Sequence, residues 1–238
     1  MDQLKLGDIT IDVEIKNIKN IHLSVYPPKG RVRIAAPERM TLDTIRIYAI
    51  SKIGWIKKQQ KKLSEQIRET PREFLNKESH YYLGDRYQLK VIERNETPMV
   101  HLKHKTIELY VRPNTKIKKR ATIIEEWYRA QLKALILPII SKWEKKMDVT
   151  VNEFAIKKMK TKWGTCNIDA KRIWFNLELA KKPFRCIEYI VVHEMVHLLE
   201  RNHNDRFVGY MNYFLPEWKI LKNELNKLPV NYRDWDIK

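Results

Sequence analysis

Apolar residues recur at every second position through Ile9, Ile11, Val13 and Ile15, again through Ile21, Leu23 and Val25, and again at Val32 and Ile34. A period of two sends neighbouring side chains to opposite faces, so these runs predict strands buried on one side. Asn17 to Asn20 and Pro27-Pro28-Lys29-Gly30 separate them, and the set reads as a short antiparallel meander. From Leu42 to Ile67 the spacing changes to that of a helix, with Ile45, Ala49, Ile53 and Ile56 on one face, Lys57, Lys58, Lys61 and Lys62 on the other, and Pro71 closing it. Strand character returns over residues 81–112 and stops at Pro113-Asn114, which divides the chain into a strand-rich region 1–114 and a second region 115–238.

The second region opens with a helical pattern from Lys118 to Lys146 that contains Pro138, where a missing N–H predicts a kink or a split. VTVNEFAIKKM (149–159) reads as a strand, TKWGTCNIDAKR (161–172) as a turn-rich connection and IWFNLELA (173–180) as another strand. Pro183 opens a helix to about Asn202, and a last helix runs from Asp205 to Asn226. No internal repeat stands out.

Composition narrows the class. With 238 residues, 43% hydrophobic, six Gly and ten Pro, the chain is neither disordered nor fibrous. No run approaches the roughly 18 apolar residues of a membrane span, and the amino terminus lacks the apolar core of a signal peptide. A cytoplasmic location is therefore expected, without a membrane partner. Two cysteines, Cys166 and Cys186, make no disulfide framework, which agrees with a reducing compartment. The formal charge of +18 is uneven: residues 168–238 hold 12 basic and 10 acidic side chains, leaving +16 before them. Basic runs at Lys57–Lys62, Lys116–Arg120 and Lys157–Lys162 suit a polyanion such as nucleic acid, or are simply a solvated surface.

The chemistry concentrates in HEMVHLLERNH, residues 193–203. His193 and His197, four apart on a helix, share one face with Glu194 beside them, and His203 follows where the chain can fold back. Ile190, Val191, Val192, Met195, Val196, Leu198 and Leu199 make this helix apolar almost all round, which implies burial. Buried imidazoles and a carboxyl without partners would cost several kcal/mol, which a bound metal relieves. Three imidazoles and an open position favour zinc over cobalt, nickel or copper. Cys186 lies about two turns from His193 on the same helix and is out of reach, whereas Cys166 stays open as a fourth ligand. An open site predicts hydrolysis, with Glu194 as general base. Asp205, Glu200, Asn176 or a backbone carbonyl would orient the imidazoles, and Tyr210 and Tyr213 are oxyanion donors or core aromatics.

KWGTC at 162–166, FNLEL around Asn176, Pro183 and IEYIVVHEMVHLLERNHNDRF at 187–207 together resemble the YgjP-like metallopeptidases, zincin-group relatives of the SprT-like proteases. The resemblance covers about residues 118–226. It implies an α+β zincin-like domain, one Zn2+ held by His193, His197 and His203, Glu194 as base, and a peptide substrate laid along IWFNLELA as the sheet edge. Thr165 replaces the commoner Ser, and Val208 stands where a Trp is usual. Trp163 and Cys166 are read either as cleft residues or, for Trp163, as a core aromatic with Gly164 fitting its turn. Two other readings share the metal: a nucleic-acid-associated module with a structural ion, and a hydrolase of a non-peptide amide.

Overall fold

The computed structural model describes residues 2–26, 29–65, 72–159 and 162–229, and among them the chain divides into two compact units. The first unit, through Pro71, carries β1 (Asp2–Leu6), β2 (Ile9–Lys16), β3 (His22–Tyr26) and β4 (Arg31–Pro37) in the order β1-β2-β4-β3. The expected antiparallel meander is therefore corrected: β2 pairs parallel with β4, Ile11 opposite Val32, and β3 lies on the far side of β4. Burial explains the order. Ile9, Ile11 and Val13 on β2 and Val32, Ile34 and Ala36 on β4 are the most enclosed residues, so their strands take the centre. The single predicted helix divides at Lys52 into α1 (Leu42–Ser51), capped by the Thr41 hydroxyl, and α2 (Ile53–Ser64). Ile45, Ala49 and Ile56 close the core over the sheet, while Ile67 and Pro71 fall outside the described residues.

The second unit, Arg72–Leu228, begins with β5 (Ser79–Tyr82), β6 (Asp85–Glu93), β7 (Met99–Lys103) and β8 (Thr106–Val111). Their order, β5-β6-β8-β7, and their pairing senses repeat those of the first sheet, a repetition that the sequence does not show. The units divide at residue 71, not at 114. The reason is burial: Leu89, Ile107, Leu109 and Val111 of this sheet share one core with Ile124, Tyr128 and Leu132 of α3 (Ile117–Met147). The Tyr128 hydroxyl also donates to the Tyr81 carbonyl at 2.7 Å. Pro138 lies inside α3 without splitting it.

β9 (Glu153–Lys157), β10 (Gly164–Asn167) and β11 (Arg172–Asn176) form a third sheet in the order β10-β11-β9. Two expectations change here. The connection around WGTC holds a strand, and IWFNLELA is not the sheet edge: β11 is central, ends at Asn176, and gives way to a 3-10 helix, Leu177–Lys181. The Asn176 side chain caps that helix by accepting from the Glu178 N–H at 3.2 Å. Pro183 then opens α4 (Phe184–Val196), packed against α3, β10 and the two helices that follow, α5 (Asp205–Phe214) and α6 (Trp218–Lys227). Pro216 falls between α5 and α6, where one continuous helix is expected from the periodicity. No helix among the described residues is long and apolar enough to cross a membrane.

Because Leu132 of α3 is fully enclosed where the β5–β8 sheet and the α4 region meet, Leu132→Ala should lower unfolding free energy by about 2–5 kcal/mol. Urea denaturation measures it, and a change under about 1 kcal/mol would contradict this packing.

Candidate metal centre

α4 is apolar on nearly every face and sinks into the core, with Ile187, Val191, Val192, Met195 and Val196 fully enclosed. It ends six residues earlier than its periodicity suggests: Val196 is its last residue and His197 its cap. Tight bonds from Leu198 N–H to Met195 O and Leu199 N–H to Val196 O turn the chain, and the stretch to Asn204 brings His203 back. Asn204 then starts α5 by accepting the Phe207 N–H at 3.0 Å.

One ring nitrogen each from His193, His197 and His203 lies within 4.8 Å of the others. The Nε2 atoms of His193 and His203 face each other at 3.0 Å. His197 Nδ1 lies 3.1 Å from the Glu200 carbonyl, an arrangement that gives Nδ1 the proton and leaves Nε2 as a lone-pair donor. Of the candidate orienting groups, the structure thus supplies a backbone carbonyl. His193 Nδ1 is buried without a hydrogen-bond partner among the described residues. Burial holds the His193 imidazole down to about 3 and lowers that of His197 as well, so both stay neutral, the form that binds cations. Phe207, itself 2% exposed, backs all three rings with centroids 4.6–5.0 Å away. Three converging imidazole donors on an apolar wall fit a divalent transition metal.

Glu194 is only 6% exposed, and burial pushes its carboxyl up to about 8 despite the opposing charge of Lys162. Gly164 explains how it fits. A Cβ at residue 164 would lie 2.6–2.8 Å from the Glu194 side chain, so the glycine serves close approach. Its φ is not positive, which corrects the turn role expected of it.

The other signature residues divide. Trp163 and Cys166 line the cleft in front of the imidazoles, together with Tyr189. Cys166 is not among the converging donors, and burial followed by the Glu194 charge pushes its thiol up to about 12, a protonated and unreactive state. Asn176 orients no imidazole; its amide donates to the carbonyls of Met159 at 3.0 Å and Lys162 at 2.8 Å, pinning the strand connection. Tyr210 and Tyr213 do not line the cleft: the former accepts from Arg206 at 3.2 Å, the latter is 79% exposed. Phe207 and Tyr189 escape sequence reasoning as site residues, whereas Lys162, which ends the third basic run directly before WGTC, lines the cleft as that position suggests.

The family model for YgjP-like proteins, a metallopeptidase domain, matches residues 19–228. No curated protein matches the chain. Among solved structures, the metallopeptidase zymogen of Methanocaldococcus jannaschii jannalysin is similar at 19% identity and a TM-score of 0.33, over 40% of this chain and 92% of that one.

Gly164→Ala should displace the Glu194 carboxyl and lower peptide hydrolysis about a hundredfold, with bound metal unchanged. Metal analysis beside initial rates tests this, and undiminished rates would refute the close-approach role. In metal-free protein the folded state keeps the Glu194 proton up to about pH 8, whereas the unfolded chain releases it near 4.5. Stability lost through this group therefore grows as pH rises between those values. The melting temperature of metal-free Glu194→Gln should climb relative to wild type across that window.

Proposed function

This chain belongs to the YgjP-like metallopeptidase family and is a metal-dependent hydrolase, and we propose that it cleaves peptide bonds with Glu194 as general base beside a zinc ion held by His193, His197 and His203. The observation that carries this reading is the buried Glu194 carboxyl, set at the same cleft as three converging imidazoles. A zinc ion there would supply Lewis acidity, polarising a carbonyl and acidifying water.

The chain's own groups do the rest. Glu194 accepts a proton from the attacking water and returns it to the departing amine nitrogen. The glycine at 164 holds the carboxyl in place by leaving it room. Among the described residues β10 pairs only with β11, and it lines the cleft along its length, so its outer edge is where an extended substrate would add main-chain hydrogen bonds. Three converging donors with Cys166 standing apart support a catalytic over a structural ion, since structural zinc is closed by four protein ligands. The basic runs give less support to a nucleic-acid role: Lys57 pairs with Asp8, Arg120 with Glu93 and Lys158 with Glu125, while part of the third run, residues 160–161, lies outside the described residues.

Glu194→Gln should cut hydrolysis of a peptide library by about 10²–10⁴-fold while zinc content and folding persist. Full activity in that variant would overturn the assignment. Chelation that unfolds the protein, with no peptide turned over by the wild type, would instead support a structural ion.

A further inference from the structure

The cleft in front of the imidazoles has two banks of unequal charge. On the sheet side, Lys162 precedes β10; on the helix side, Arg201 follows the end of α4 and Lys222 projects from α6. All three are exposed, and none has a carboxylate within ion-pair distance among the described residues. This sets them apart from many cations elsewhere on the surface, such as Arg185 with Glu224 at 2.7 Å or Lys142 with Glu188 at 2.7 Å. A fourth lining cation, Arg172, is engaged by Glu153 at 3.8 Å and by the Trp174 ring at 4.8 Å. Against them the cleft offers Asp169 and the buried Glu194 as acidic groups.

Lys222 lies over the Trp218 ring at 5.7 Å, which leaves its charge uncompensated, and cations without a carboxylate partner along a concave, partly apolar wall focus a positive potential where the substrate must lie. We propose that Lys162, Lys222 and Arg201 recognise a carboxylate on the substrate, so that this enzyme selects acidic polypeptides. The carboxylate is an Asp or Glu side chain close to the scissile bond or the free carboxyl terminus of a short peptide; both present the same chemistry to the same three cations. A carboxylate docked in the cleft gains charge-assisted hydrogen bonds from these cations, with β10 and Glu194 lining the same cleft. A basic substrate meets repulsion from both sides of the cleft. The inference rests on the peptidase reading for its substrate class, but it concerns recognition and can be read without turnover.

The test uses the full-length, zinc-loaded Glu194→Gln protein and fluorescein-labelled peptides, with binding followed by anisotropy. An acidic peptide should bind at least tenfold more tightly than its Gln/Asn counterpart, and the preference should shrink as salt rises from about 50 to 500 mM, because exposed charges are screened. Lys222→Glu combined with Arg201→Glu should reduce that ratio at least tenfold or invert it in favour of a Lys-containing peptide. Lys222→Met alone, a milder change for folding, should lower it severalfold. Amidating the carboxyl terminus separates the two sources: an advantage that survives belongs to side chains, and one that disappears belongs to the terminus. Equal affinity for acidic and neutral peptides, or a preference unmoved by the charge reversals, would overturn the proposal. Failure of the wild type to cleave peptides that the variant binds selectively would refute the hydrolytic assignment and leave this recognition standing.

Discussion

The Glu194 carboxyl occupies space that a methyl group on residue 164 would take. Everything near the centre follows from keeping that space open and dry. β10 must run close to α4, so its first residue has no side chain, and the connection before it must be held at a fixed depth. Asn176 does this from the end of β11, with its amide on the Met159 and Lys162 carbonyls, while the Asn176 N–H binds the Trp163 carbonyl at 2.8 Å. α4 buries apolar residues on most of its other faces, and it is this enclosure that leaves the Glu194 carboxyl at 6% exposure. The raised proton affinity of Glu194 is the result of this enclosure, moderated by Lys162.

The imidazoles are placed by a different device, the early end of α4. A helix running on to Asn202 would hold the chain straight past the ligands. Terminating at Val196 makes His197 both the last turn's cap and a donor, and the reversal between residues 198 and 204 delivers His203. The Glu200 carbonyl, released from helical bonding by that same reversal, becomes available to His197 Nδ1. Phe207, one turn into α5, then supplies an apolar surface against which the three rings rest.

Much of this was legible in the residues, because the signals were local. The spacing of His193, Glu194, His197 and His203 encodes a helix face and a return, and the apolar run around them encodes burial. What escaped was set by partners distant in sequence. The parallel pairing of β2 with β4 depends on which strands are most enclosed, which alternation alone does not rank. β10 is too short and too glycine-bearing to announce itself, yet it forms the sheet edge at the cleft. Gly164 looked like a turn residue because its neighbour, Glu194, lies thirty positions along the chain and only the fold brings them together. The boundary at Pro113-Asn114 marked the end of a strand accurately but not the end of a core, since β8 and α3 bury the same surface.

That shared burial gives the repeated strand order a further meaning. Both sheets have the same arrangement, but the first closes over α1 and α2, while the second contributes its apolar face to the helix that also supports α4. The two sheets are therefore embedded unequally. Leu89, Ile107 and Leu109 lie in one core with α3 and α4, whereas Ile11 and Ile34 belong to the core closed by α1 and α2. Divergence among relatives should accordingly accumulate in the first sheet, and the second should be held nearly as still as His193, His197 and His203.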